Sequence, residues 1–190
     1  YFGSEWSPGI DGDARVHILN ARFSGAAGYF SSQDELPRQV NPYSNERELF
    51  YMNVDAAQPG TDSYASILAH EFQHMVHHHL DPNEDSWINE GASELATRLC
   101  GYGESDAIDA FARRPETQLT AWTLAPDEDS WPHYGASYLF LAYSLERLGH
   151  DFIRLLVAEP ANGIEGFERT LAKVQGAPTF DQLYADWIIA

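Results

Sequence analysis

The residues best suited to chemistry lie close together, where two histidines stand four positions apart with a glutamate after the first. The pattern is HExxH, formed by His70, Glu71 and His74. On a helix, residues four apart lie on one face about one turn apart, so both imidazoles can bind the same ion. Neutral imidazoles bind Zn²⁺ at roughly 2.0–2.1 Å, and the glutamate then lies near the open position where water would sit. The motif therefore predicts two zinc ligands and a base, Glu71.

The apolar pattern around this motif predicts a helix over residues 62–80. Asp62 or Ser63 can cap its start, and Pro82 ends it. The apolar residues recur at helical spacing: Tyr64, Ile67, Leu68, Phe72, Met75 and Val76.

The two faces of this helix are predicted to differ. Leu68, Phe72 and Val76 lie roughly opposite His70 and His74. We therefore expect one face to pack on a core while the other lines a cleft.

The histidine run at positions 77–79 admits two interpretations. His77 lies about one turn beyond His74 and could line the cleft or serve a second metal site. His78 and His79 should point elsewhere. A solvated helix end is the favoured interpretation.

A second predicted helix carries a pair of acids that can complete a metal site. Its sequence WINEGASELA follows a cap at Asp85 or Ser86, and the helix stops at Gly101. Glu90 and Glu94 lie four positions apart on it. Catalytic zinc sites use three protein ligands and leave one position open. We therefore expect this helix to supply the third ligand.

HEFQH followed by WINEGASE resembles the gluzincin metallopeptidases, the thermolysin-like clan, over residues 62–100. With the later stretch HYGASYLF, the spacing is most similar to the hyicolysin-type peptidases over roughly residues 40–190. In the thermolysin-like pattern the glutamate of an Asn-Glu pair binds zinc, and an acid four residues later supports the first histidine. The resemblance thus implies that Glu90 is the ligand and that Glu94 supports His70.

Composition indicates one folded domain over residues 1–190. Hydrophobic residues make up 44% and aromatic residues 13%, which excludes a disordered chain. With 11 basic against 29 acidic residues the net charge is −18, which argues against nucleic acid and anionic membranes as partners. No apolar run is long enough to span a bilayer. Because neither an initiator Met nor a signal peptide precedes Tyr1, we expect a mature or excised domain of a longer precursor. The acidic composition suits an extracellular or cell-surface location.

The expected fold class is α+β, with a small β-sheet from residues 1–60 packed on the HExxH helix and a mainly helical part over 61–190. Residues 15–20 and 48–54 have strand patterns, and the glycines of 25–30 indicate a bend or bulge. In gluzincins an edge strand of such a sheet borders the cleft and pairs with extended substrate. By sequence order, the strand at 48–54 is the candidate.

An acidic pair and the single cysteine are each interpreted as structural features and not as functional sites. Asp11 and Asp13 could hold Ca²⁺, but they lack the loop and terminal glutamate of an EF-hand, so a turn is favoured. The single cysteine, Cys100, excludes an internal disulfide and is expected to be a small buried hydrophobe.

The stretch before the third long helix is a candidate cover for the cleft. Residues 101–132 read as a long connection with a short helix near 105–112. His133 and Tyr134 follow at the start of an apolar helix, where a hydrogen-bond donor could stabilise developing negative charge.

The rest of the chain is predicted to be a helical scaffold. The apolar helix spans 134–148, begins after Pro132 and ends at Gly149. Its expected core residues are Leu139, Leu141, Leu145 and Leu148. Three further helices are predicted over residues 151–158, 163–174 and 179–189.

Together these features predict zinc-dependent hydrolysis of peptide bonds in a polypeptide substrate. Glu71 would take a proton from metal-activated water and pass it to the leaving amine, with Tyr134 or His133 as oxyanion donor. Endopeptidase action is favoured because no GxMEN-like element for a free amino terminus is present. Two alternatives stay open: a non-catalytic binding module with a structural zinc, and a metal-dependent hydrolase of non-protein substrates. The presence of Glu71 favours catalysis.

Overall fold

A small sheet forms the N-terminal part of the molecule. The computed structural model describes residues 1–122 and 129–190. The strands are β1 (His17–Ala21), β2 (Gly28–Phe30) and β3 (Leu49–Asn53). The middle strand is β3, which runs parallel to β1 and antiparallel to β2. Both predicted strands are confirmed, with β1 shifted toward the C-terminus and β3 one residue shorter at each end, and the predicted bend contains the third strand.

Helices dominate the rest of the described chain. They are α1 (Asp62–Leu80), α2 (Ser86–Leu99), α3 (Ile108–Arg113), α4 (Trp131–Leu148), α5 (His150–Val157), α6 (Gly163–Leu171) and α7 (Phe180–Ile188). A short 3-10 helix also spans Ser32–Glu35. The fold is α+β and mostly helical, as predicted. No described helix is both long enough and apolar enough to cross a membrane.

The connection at residues 101–132 contains α3, close to its predicted position. The expectation that this connection covers the cleft falls partly on residues 123–128, which lie outside the described residues.

The bounds of α1 confirm the helix predicted over residues 62–80, but the residue that caps its start lies one position earlier than predicted. Thr61, not Asp62 or Ser63, is the N-cap, and its Oγ1 accepts a hydrogen bond from the Tyr64 backbone N–H at 3.2 Å. Thr61 has the extended backbone that lets a side chain reach back to the first turn. The predicted end before Pro82 is confirmed.

The face of α1 opposite the histidines is only partly covered. Val76 is buried and Leu68 half-buried, but Phe72 is 37% exposed, so its predicted core position is wrong. The Phe72 ring contacts Phe50 of β3 edge-on at 5.8 Å. The short strands leave the rest of that ring open to solvent.

The expectation that the strand at 48–54 lies at the sheet edge is wrong, because β3 is central. Four of its five residues are buried, a pattern typical of a strand covered on both faces. Met52 packs with Tyr64 of α1 in a small core between sheet and helix. The strand at the edge nearest α1 is β2.

The main core lies around α2 and α4, the helix pair in most extensive contact. Trp87 of α2 lies 6.0 Å, ring to ring, from each of three phenylalanines: Phe140, Phe167 and Phe180. Of the leucines predicted in α4, Leu141 and Leu145 are buried, and Leu139 and Leu148 pack against this core partly buried. This core fixes α2, and therefore Glu90.

Of the two features that were predicted to have only a structural role, Cys100 differs from its prediction and the turn at Asp11 and Asp13 agrees with it. Cys100 is exposed, so its predicted burial is wrong. It is the C-cap of α2, and the following Gly101, at φ 89°, turns the chain away from the core. The favoured turn at Asp11 and Asp13 is confirmed, since Asp11 Oδ1 accepts a hydrogen bond from the Asp13 backbone N–H at 2.8 Å. Both carboxylates also pair with arginines.

Gly91→Ala should destabilise the protein by about 1–3 kcal/mol, because overpacking forces neighbouring backbone apart. A Cβ at Gly91 would lie 2.9 Å from the Ser137 carbonyl oxygen of α4. At a solvent-exposed helix position the same change stabilises by up to about 1 kcal/mol. The sign of the change in stability therefore tests whether α4 lies against Gly91. Urea denaturation measures the free energy of unfolding.

The control for this variant is Ser63→Ala at an exposed position of α1, which should change stability by less than about 0.5 kcal/mol. A Gly91→Ala protein more stable than the native one would contradict the close approach of α2 and α4.

Candidate metal centre

Three potential metal-binding atoms converge between α1 and α2. The Nε2 atoms of His70 and His74 lie 3.0 Å apart, and Glu90 Oε2 lies 3.3 and 3.4 Å from them. Glu90 Oε2 is buried and has no hydrogen-bond partner. Atoms bound tetrahedrally to one Zn²⁺ at its usual bond lengths lie about 3.3 Å from one another. These three atoms therefore fit the first coordination sphere of one such ion.

The opposite nitrogen of each imidazole is held by α2. His70 Nδ1 lies 3.2 Å from Glu94 Oε1, and His74 Nδ1 lies 2.5 Å from Asn89 Oδ1. An Nδ1–H that donates to such an oxygen leaves the Nε2 lone pair free for a metal. Ser93 Oγ donates to the Asn89 carbonyl at 3.1 Å and also lies 3.1 Å from His74 Nδ1. Both rings are thus oriented toward the same point.

The electrostatics of this cluster favour a positive charge at its centre. Burial by itself would lower the pKa of His70, but the neighbouring carboxylates of Glu90 and Glu94 outweigh burial and raise that pKa. Burial would likewise raise the pKa of Glu90, but His70 and His74 lower it. Either a proton shared by these side chains or a bound cation would supply that positive charge. A divalent cation is the species that can use all three atoms at once.

Glu71 is placed beside the cluster as a buried carboxylate. It is 8% exposed, and its Oε2 accepts a hydrogen bond from the Phe30 backbone N–H of β2 at 3.0 Å. Burial raises the pKa of Glu71, which makes its carboxylate a better proton acceptor near neutral pH. Glu71 does not join the three converging atoms, as expected for a base.

An open cleft of about 420 Å³ gives access to these residues. Its lining combines the motif residues of α1 and Asn89 and Glu90 of α2 with all three residues of β2. Tyr134 of α4 also lines it. The edge strand that borders the cleft is therefore β2, in place of the predicted strand at 48–54.

The two candidate oxyanion donors occupy different positions. Tyr134 lies in the cleft lining, with its ring centroid 6.5 Å from that of His70. Burial, together with the charges of the nearby glutamates, raises the Tyr134 pKa, so its hydroxyl is protonated and can donate. His133 is not among the described residues that line the cleft, although its ring, like that of Tyr134, contacts Trp122, at 5.5 Å.

The histidine run at the end of α1 differs from the favoured interpretation. His77 is fully buried, so a solvated helix end is wrong for this residue. His78 lines the cleft and lies 5.9 Å, ring to ring, from Phe30, which contradicts the expectation that it points elsewhere. Only His79 of this run is exposed, as predicted. Asp81 and Glu84, in the chain after α1, each place a carboxylate oxygen within 4.8 Å of a ring nitrogen of His77 and help to cover it.

Sequence reasoning missed three groups that position the site: the Asn89 amide, the Ser93 hydroxyl and the Phe30 backbone N–H. Asn89 and Ser93 are four apart on α2. That spacing places both on one helix face and could have indicated their role. Phe30 gives no such signal, because its contact with Glu71 depends on how the sheet packs on α1.

Comparison of the chain with protein-family models and with curated proteins found no match in either case.

Proposed function

We propose that this protein is a zinc-dependent peptidase that cleaves within polypeptide chains. The observation that carries the proposal is the convergence of His70 Nε2, His74 Nε2 and Glu90 Oε2 at distances suited to Zn²⁺, inside an open cleft. The resemblance of HEFQH and WINEGASE to the gluzincin peptidases supports the same conclusion. Zinc at these ligands would supply a Lewis acid that acidifies water and polarises a carbonyl.

The residues of the cleft have distinct roles under this proposal. Glu71 accepts a proton from the attacking water and returns it to the leaving amine, a task suited to its raised pKa. Tyr134 donates a hydrogen bond to the oxygen that becomes negative as the carbonyl is attacked. Glu94 and Asn89 hold the two imidazoles in place.

The edge strand β2 supports a polypeptide substrate. It pairs with β3 on one side and borders the cleft. An extended peptide can add to such an edge as a further strand, with backbone hydrogen bonds that require no particular side chain. This mode suits cleavage inside a chain, since neither terminus of the substrate is bound.

Glu71→Gln should lower the rate of peptide cleavage by about 10²–10⁴-fold, the usual contribution of a general base, while zinc content stays unchanged. The experiment incubates purified, zinc-loaded protein with an unfolded protein and identifies the fragments by mass spectrometry. A parallel sample contains a chelator, and zinc is then restored. Glu165→Gln, an exposed glutamate on α6, is the matched control.

Three results would contradict this assignment. Cleavage that persists in Glu71→Gln would exclude Glu71 as the base, and loss of zinc from that variant would make it a ligand. Zinc binding by the native protein without cleavage of unfolded protein would favour the binding-module alternative or a non-protein substrate.

Tyr134→Phe should lower kcat by about 10²-fold, the scale seen when one oxyanion donor is removed, with zinc content unchanged. The variant keeps the ring that packs against Trp122 and Trp131 and deletes only the hydroxyl. Tyr143→Phe on the same helix serves as the control. If kcat is unchanged in Tyr134→Phe and falls in His133→Ala, the donor role passes to His133.

A further inference from the structure

A second group of metal-binding side chains lies where α1 leads into α2. His77 is in the last turn of α1, Asp81 is its C-cap, and Glu84 follows in the connection. One potential ligand atom from each residue lies within 4.8 Å of the other two. None of these residues contributes to the centre formed by His70, His74 and Glu90.

Five of the six side-chain nitrogen and oxygen atoms of this group are buried without hydrogen-bond partners. His77 is 0% exposed and both ring nitrogens lack a partner, and Asp81 is 2% exposed with neither carboxylate oxygen paired. Glu84 Oε2 is buried and unpaired as well. Folded proteins pair nearly all buried polar atoms with protein groups, water or ions. Five unpaired atoms on three neighbouring side chains therefore require a shared partner.

A comparison with another buried acid shows what these carboxylates lack. Glu159 is 6% exposed, and its carboxylate pairs with Lys173 at 2.5 Å and with Arg169 at 3.8 Å. Within residues 1–122 and 129–190, no ion pair to a basic side chain involves Asp81 or Glu84. The buried Asp81 carboxylate and the partly buried Glu84 carboxylate, with no basic side chain paired to either, leave a negative charge that a cation would balance.

The group is also held in a binding-competent arrangement. Glu84 Oε1 accepts hydrogen bonds from the backbone N–H groups of Gly163 at 2.7 Å and Asp85 at 2.6 Å, which fixes the carboxylate and leaves Oε2 free. The Asp81 backbone N–H donates to the His77 carbonyl at 2.7 Å and so fixes their relative position.

We propose that His77, Asp81 and Glu84 bind a second metal ion, Zn²⁺, with a structural role. One neutral imidazole and two carboxylates balance a double positive charge. The imidazole argues against Ca²⁺ and Mg²⁺, which prefer all-oxygen sites, whereas a mixed nitrogen and oxygen set suits Zn²⁺.

Such an ion would fix the junction between the two helices that carry the first centre. His77 lies about one turn beyond His74 on α1, and Glu84 lies just before α2, which carries Glu90. Bonds from one ion to both sides of the junction would hold these helices at a set distance. The second ion would therefore have a structural role, distinct from the proposed hydrolysis, in holding α1 and α2 in position.

The test measures zinc per chain by mass spectrometry of the metal after loading with Zn²⁺ and dialysis. The native protein should hold two ions. Asp81→Asn and Glu84→Gln should each hold one, since each removes a charged ligand and keeps its size. His79→Gln, an exposed histidine on the same turn, should still hold two. A His70→Ala/His74→Ala variant should hold one, bound at the junction.

The same His70→Ala/His74→Ala protein gives a readout independent of activity. Its thermal midpoint should fall by several degrees when a chelator removes zinc, and adding Asp81→Asn to it should abolish that shift. Circular dichroism is used to check whether each variant is folded. If Asp81→Asn does not fold, Glu84→Gln and the His70→Ala/His74→Ala protein still decide the question.

Several outcomes would overturn the second site. They are a His70→Ala/His74→Ala protein that holds no zinc, a native protein whose zinc content is unchanged by Asp81→Asn and Glu84→Gln, and binding of Ca²⁺ without Zn²⁺. If the centre at His70, His74 and Glu90 did not bind zinc, the zinc contents of the variants would follow a different pattern. In that case His70→Ala/His74→Ala would keep the zinc content of the native protein, and Asp81→Asn would reduce it to zero.

Discussion

The packing of α1 against α2 is the constraint on which the rest of the structure depends. It brings the imidazoles of His70 and His74 to Glu90, and it lets α2 hold the far side of both rings. Behind α2, the close approach of Gly91 to α4 leaves no room for a side chain and sets where Tyr134 enters the cleft. The positions of the three candidate ligands are therefore set by helix packing, and Glu71 connects them to the sheet through its hydrogen bond with Phe30.

The distribution of buried negative charge also favours metal binding along α1 and α2. The chain has a net charge of −18, and four acids of its helical part differ in how their charge is compensated. Glu159 is neutralised by basic side chains, whereas Glu90 is paired only with histidines, and Asp81 and Glu84 have no basic partner in the described chain. Buried carboxylates without such partners are costly unless a cation compensates them. Both places lie along the α1–α2 pair, which makes that pair the metal-binding part of the molecule under our proposals.

The sequence predicted the features that depend on local spacing. The bounds of α1 and α2, the shared face of His70 and His74, and the α+β class follow from helix periodicity and end signals. The features it missed depend on contacts between distant segments. The central position of β3, the contact of Phe30 with Glu71 and the burial of His77 each require knowledge of how separate elements pack. The exposure of Cys100 also depends on the path of the chain after α2.

The most direct test of the central claim is X-ray diffraction from zinc-loaded crystals of the Asp81→Asn protein, with data collected on both sides of the zinc absorption edge. The account predicts one anomalous peak in the cleft, about 2.0–2.2 Å from His70 Nε2, His74 Nε2 and a carboxylate oxygen of Glu90. A peak coordinated by Glu94 in place of Glu90 would show that the assignment of the two acids is wrong. The absence of any peak at His70 and His74 would contradict the metal centre itself.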